Sequence, residues 1–412
     1  MVDRRTASNR PVIMPPLFPS GKRRWVLPAL LLAATACASR TPPSTAAPAV
    51  IEVSSTDPLR RPAAALPTHT YWVYVGAESA DLIHRVRFGP DSAVVEKTIP
   101  VGESPTEMEG PHGLQISRDG RFLHMTTGHG SPDGKYWRYV LGPDTLAGPG
   151  IFLGYFPASI DVTPDGLYAF AVNFNLHGEM IPSTVSVIYT PENKEVAQVT
   201  TCVMPHGSRM SPDGLRQYST CMMDDQLVEL DAVKFEVARR FSLHRGSEGP
   251  LPSDWRPMSH QGHQMEPNTC SPTWAQPSAD GAKIYVACNK ADSIIEIDRA
   301  SWTETRRFAT GRGPYNLGVT PDGKYLVASL KQGGGMQVFD LATGQSVMTM
   351  KSSTTVTHGV AISPDSRYAF ITSEGVGAQP GKVDIYDLQT MTRVASVDVG
   401  QQAGGIAFWK MQ

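Results

Sequence analysis

The chain has 412 residues, 41% of them hydrophobic and 18% charged, with 37 Lys and Arg against 39 Asp and Glu. That apolar share supports a large buried core. The near-neutral balance has no long run of either sign beyond the first 25 residues, so it lacks the concentrated basic face that a nucleic acid partner requires.

The N-terminus reads as a targeting segment. Lys22-Arg23-Arg24 precede an apolar stretch, Trp25 to Ala34, that is too short for a permanent membrane span. It runs into Ala34-Thr35-Ala36-Cys37, which resembles a bacterial lipoprotein signal cleaved ahead of a lipidated cysteine, with Ala34 where Leu is usual. A plain secretory signal cleaved nearby is the alternative, and either one predicts export to the periplasm or cell surface. Residues 1–37 are thus expected to be a signal segment with a membrane anchor on Cys37. Residues 38–69, rich in Pro, Ala and Thr, are expected to be a tether, because that composition cannot bury enough surface to fold. Residues 70–412 remain as the folded domain.

Within that domain one phrase recurs six times: an apolar strand, a polar turn built on Asp, and a second apolar strand. The turn aspartates are Asp119, Asp165, Asp213, Asp280, Asp322 and Asp365, separated by 46, 48, 67, 42 and 43 residues. This is the period of a propeller blade. Short, small-residue strands precede the turns; apolar strands such as Tyr168 to Val172 and Tyr325 to Ala328 follow them. A third strand often ends in Asp, as at Asp298, Asp340 and Asp387. A seventh unit is split across the domain's ends. Tyr71 to Val75 and Leu82 to Val86 lack a first strand, and Gly404 to Trp409 is a first strand lacking a second. Pairing the two fragments predicts an all-β, seven-bladed β-propeller of four-stranded blades with its ring closed by the C-terminal strand, which removes the sheet edges an open array would leave.

Tyr285-Val286-Ala287-Cys288-Asn289, followed by Ile294-Ile295-Glu296-Ile297-Asp298, resembles the signature of the YVTN family of bacterial seven-bladed propellers. That resemblance covers roughly residues 71–409 and implies the fold, with little about function. Pro111-His112-Gly113 and Pro205-His206-Gly207 also resemble phrases in the propeller domain of nitrous oxide reductase, where histidines on the propeller face hold a copper cluster. The cupredoxin domain of that enzyme has no counterpart here, so its complete reaction is not implied.

The repeat also serves as a ruler. Seven residues before the successive turn aspartates stand His112, Ala158, His206, Thr273, Tyr315 and His358, with Gly404 in the split blade. This offset begins an inner strand, so three histidines distant in sequence are expected to share one axial funnel. His129 and His177 fall in loops opening on the same face. The long spacing of 67 contains an insert, Gly246 to Thr269, that carries His260 and His263 beside Met258, Met265 and Glu266. Neutral imidazoles converging from rigid blades suit a transition metal, with the nearby methionines leaning towards copper. The competing expectation is structural, each imidazole bonding a neighbouring blade's backbone. His69, His84, His124 and His244 read as tether, strand or turn residues. Glu374, Asp224, Asp225 and Glu179 are expected to face the same side, by default as solvated carboxylates.

Beyond Cys37 there are four cysteines. Cys202 and Cys270 precede inner strands, and Cys221 and Cys288 end second strands, at intervals of 19 and 18. Disulfides 202–221 and 270–288 are expected as matching clasps, with thiolate ligation of a metal as the rival reading. No nucleotide-binding fingerprint, G-x-S-x-G or C-x-x-C-H haem attachment site occurs, so neither a nucleotide cofactor nor covalent haem is expected. Three function classes follow. The first is a lipid-anchored, monomeric propeller that binds copper or another transition metal, or another small ligand, at its axis, with redox chemistry as an extension. The second is a metal-dependent lyase or hydrolase on the same face, as in streptogramin lyases. The third is a non-catalytic scaffold whose loop face holds a protein or glycan partner.

Overall fold

Every Asp phrase closes the same hydrogen-bonded turn in the computed structural model, which describes residues 66–104, 106–129, 133–258 and 267–412. Ser117 Oγ donates to Asp119 Oδ1 at 2.6 Å, and that oxygen also accepts from the Arg121 N–H at 3.0 Å. Thr163, Ser278, Thr320 and Ser363 make the first bond to their own aspartates at 2.5–2.6 Å, and Ser211 makes it to Asp213. The next position must turn left-handed, which explains the glycines: five lie at φ 71–73°, and Ser366 takes 61° in the sixth turn.

These turns join the two inner strands of each blade. Blade 1 comprises Tyr71–Ala77, Leu82–Phe88 and Ala93–Pro100, and its innermost strand is the C-terminal Ala403–Met411. Blade 2 begins with Pro111–Ile116, Phe122–Thr127 and Asp133–Val140, and its outer edge is split into Thr145–Leu146 and Ile151–Tyr155. Blades 3 to 7 start at Pro157–Val162, Pro205–Met210, Pro272–Pro277, Pro314–Val319 and Thr357–Ile362, each leading an antiparallel meander. Blade 4 gains a fifth strand, Gly249–Pro250, from the enlarged junction that follows it. The seven inner strands neighbour one another in a closed ring, so the all-β propeller and its closure by the C-terminal strand are as expected. Among the described residues there is no α-helix.

The core lies between blades rather than within them. Seven apolar clusters fill the seven blade interfaces; the one closing the ring packs Tyr71, Val75 and Phe88 of blade 1 against Tyr368, Phe370 and Ile385 of blade 7. Near the axis the strands come too close for side chains. A Cβ at Gly207 would stand 2.2 Å from the Thr273 carbonyl oxygen, and one at Gly405 2.0 Å from that of His112.

Both expected disulfides are present, with Cα–Cα distances of 5.9 Å for Cys202–Cys221 and 4.5 Å for Cys270–Cys288. They are not equivalent clasps. Cys202 sits in the outer strand of blade 3, Lys194–Val203, so its bond ties two blades together. Cys270–Cys288 closes a loop within blade 5. Cys37, the signal segment, His260 and His263 lie outside the described residues.

Candidate functional site

Each inner strand is entered through a residue in left-handed conformation: Gly110, Phe156, Met204, Ser271, Gly313, Val356 and Gln402, with φ between 44° and 66°. That sharp entry aims the second residue of the strand, two positions later, at the axis. His112, Ala158, His206, Thr273, Tyr315, His358 and Gly404 therefore form one ring. The three histidines come together as expected: ring centroids are 5.3 Å apart for His112 and His358 and 6.1 Å for His112 and His206. All three are buried.

A second ring stands above the first, formed by the residue that follows each blade's second strand: Glu78, Phe174, Met222, Asn289, Lys331 and Glu374, with Gly128 in blade 2. Together with His129, Phe156 and Gln402 the two rings enclose a funnel of about 290 Å³. Six of these positions lie nine residues past a turn Asp, so the ruler that found the histidines also reaches them. Glu374 was the only one singled out from sequence. Glu78 was missed because blade 1 has no turn Asp to count from.

Glu78 is the chemical centre of the funnel. It is the first residue of a 3-10 turn, Glu78–Ala80, and is buried. One carboxylate oxygen is hydrogen-bonded to His129 Nδ1 and approached by the Gln402 amide at 3.3 Å; the other stands 3.8 Å from His112 Nε2. Donor atoms of Glu78, His112 and His358 all fall within 4.8 Å of one another. His177 is at the rim, its Nε2 bonding the His129 backbone carbonyl at 3.0 Å.

Hydrogen bonds settle which imidazole nitrogen faces the axis. His112 Nδ1 lies 2.5 Å from the Ala158 carbonyl and His206 Nδ1 2.9 Å from that of Thr273, each in the next blade. A carbonyl only accepts, so both rings carry their proton on Nδ1 and turn the Nε2 lone pair inward. The structural role and the ligand role are thus compatible in one residue. His206 spends that lone pair on the Tyr315 hydroxyl at 3.0 Å and stands outside the three-donor group. His358 Nδ1 has no well-formed bond, and the Gly404 carbonyl accepts from Thr372 Oγ1 at 2.7 Å.

Burial pushes the pKa of His112 and His358 well below the ordinary imidazole value and brings His206 down to about 4, so all three are neutral near pH 7. His129 is shifted the other way by its bond to Glu78. Glu78 is raised by burial, with His129 opposing. Beside His358, Lys331 pairs with Glu374 at 2.9 Å and lies over the Tyr315 ring at 4.2 Å. Burial opposes its charge, but Tyr315 and Glu374 outweigh that and raise its pKa.

Of the other carboxylates expected on this face, Glu179 is exposed, whereas Asp224 and Asp225 are structural. Asp225 accepts from the backbone N–H groups of Thr269, Cys270 and Ser271, fastening the end of the insert, and from its other side meets His244 at 3.1 Å. Asp224 accepts from the Val203 N–H at 2.9 Å. His84 bridges Thr98 and the Gly400 N–H, and His124 faces the Tyr136 hydroxyl at 2.8 Å.

Residues 266–406 match the family model described as YNCE-like beta-propeller. The chain is a seven-bladed propeller that is similar to this family over those residues. Among solved structures, hydrazine synthase of Kuenenia stuttgartiensis is similar over 75% of this chain and 92% of its own, with TM-score 0.56 and 19% identity. A functionally unknown protein from Desulfotomaculum acetoxidans DSM 771 is similar over 82% of this chain and 98% of its own, with TM-score 0.60 and 15% identity. At these identities the chain shares a fold with both and nothing more specific. No curated protein matches it in sequence.

Proposed function

We propose that this propeller is an exported metal-binding protein, anchored through Cys37, that holds one divalent transition-metal ion on Glu78, His112 and His358. The observation that carries this reading is the convergence of those three buried donors within 4.8 Å, with His112 already orientated by a backbone carbonyl and Glu78 by His129 and Gln402. Such outer partners are what fix a ligand's tautomer and direction in metal sites. Two imidazoles and a carboxylate form a borderline donor set, for which first-row divalent ions rank with copper highest. Copper is therefore the first candidate, now on nitrogen and oxygen donors rather than thioethers.

A second reading, a metal-dependent lyase or hydrolase, is favoured by Lys331 and Tyr315 beside His358. They would place a cation and a hydroxyl next to the metal, where a polar substrate is held.

The test is elemental analysis of the purified protein, followed by Cu(II) and Zn(II) titration. One equivalent is expected, with affinity falling at least ~100-fold in H112A, H358A and E78Q. Absence of stoichiometric metal, or equal binding by the three variants, overturns the proposal.

A further inference from the structure

Below the histidine ring the axial channel narrows to a cavity of about 20 Å³, lined by His112, Ser159, Arg209, Trp274, Asn316 and His358. Its volume admits a single small occupant. Arg209 brings a full positive charge to this wall. Its guanidinium lies 4.7 Å from the Trp274 ring centroid and donates to the Ser208 carbonyl at 3.0 Å. No carboxylate forms an ion pair with it among the described residues. Asp161 is close enough only for a longer-range attraction, and its oxygens already accept from Gln115, the Val162 N–H and the Met210 N–H. Desolvation accordingly lowers the Arg209 pKa.

Arg209 is half-buried, so part of its hydration is lost and a counter-charge placed against it is favourable. The neighbouring groups add a donor and no carboxylate. The Trp274 indole N–H is buried without an acceptor, and the Asn316 amide borders the same space, its Oδ1 buried without a donor.

We propose that the channel binds one small inorganic anion, chloride in size and charge, against Arg209, in a cavity that shares the walls His112 and His358, but not Glu78, with the funnel above it. No bond is made or broken; the anion neutralises Arg209 and accepts from the surrounding N–H groups.

The test compares thermal unfolding of the full chain in sodium chloride and in sodium gluconate at equal ionic strength, with and without R209M. Chloride at about a hundredfold excess over its dissociation constant is expected to raise the wild-type midpoint by about 4 °C, and to leave R209M unchanged. Equal midpoints in the two salts, or the same chloride shift in R209M, overturn the proposal. Because R209M can fail to fold, wild-type crystals soaked in bromide supply a second measurement. An anomalous peak within reach of Arg209 supports the site, and a channel holding water alone overturns it.

Discussion

His124 and His112 are both buried neutral histidines, yet only one of them faces the funnel. His124 sits in Phe122–Thr127, where burial, helped by Arg138, lowers its pKa to about 3. Unfolding returns it to the ordinary value near 6.5, so between pH 6.5 and 3 the unfolded chain binds a proton that the folded one refuses. Stability is therefore lost as pH falls through that window. Between pH 6.5 and 4 the loss from this residue is on the order of 3 kcal/mol. H124F is expected to show a correspondingly shallower decline between pH 7 and pH 4 in urea titrations; parallel declines would refute the assignment. Glu78 and His129, both raised, act in the opposite sense, so the comparison rests on the difference between variant and wild type. The axial histidines were legible because a repeat places equal offsets at equal positions. Their pairing with Glu78 was not, since that contact joins a loop of blade 1 to strands of blades 2 and 7 and leaves no periodic trace.

At the scale of the strand, the left-handed entry residue does the positioning. Glycine occupies it twice, at Gly110 and Gly313, and five side chains hold it at a conformational cost of ~1–2 kcal/mol each. Nothing in Phe, Met, Ser, Val or Gln announces positive φ, so this device could not be read from sequence, whereas the S-x-D-G turns announced themselves. Where the strain persists, the side chain has a use: Phe156 packs on His112 at 5.2 Å and Gln402 reaches Glu78. Val356 is half-buried, does not line the funnel, and is β-branched, the least suited type for φ 60°. V356G is expected to raise stability by about 1 kcal/mol. F156G, which relieves the same strain but empties a buried ring site, is expected to lower it by about 2 kcal/mol. Denaturant midpoints that move in the same direction for both would show that the entry conformation is not what sets the energy.

For the molecule as a whole, seven interfaces of similar make-up mean that no blade is stable by itself, and the ring is held at its weakest covalent point by one strand pairing. Ala403–Met411 supplies the inner strand of blade 1, while Thr70 and Gln412 exchange backbone hydrogen bonds at 2.7 and 2.9 Å. Trp409 reaches across to the Gly120 carbonyl at 2.9 Å, and Tyr71 to Asp365 at 2.7 Å, so closure joins blade 1 to both neighbours. The split blade was legible because two incomplete repeats at opposite ends add up to one. Removing residues 403–412 opens the ring and bares the inner edge of Tyr71–Ala77. It also removes Gly404 from the lower ring and frees Gln402, a wall of the funnel, from the strand that follows it. An open array with an unpaired apolar strand is prone to pair with a second copy. The truncated chain is therefore expected to lose its single cooperative unfolding transition and to elute as oligomers in size-exclusion chromatography. A synthetic peptide of residues 403–412 added in excess is expected to restore the monomer and, with it, the metal binding proposed for Glu78, His112 and His358. Monomeric, cooperatively unfolding protein without the peptide would mean that six blades and a partial seventh already close the ring by themselves, and that the terminal strand is dispensable to the site.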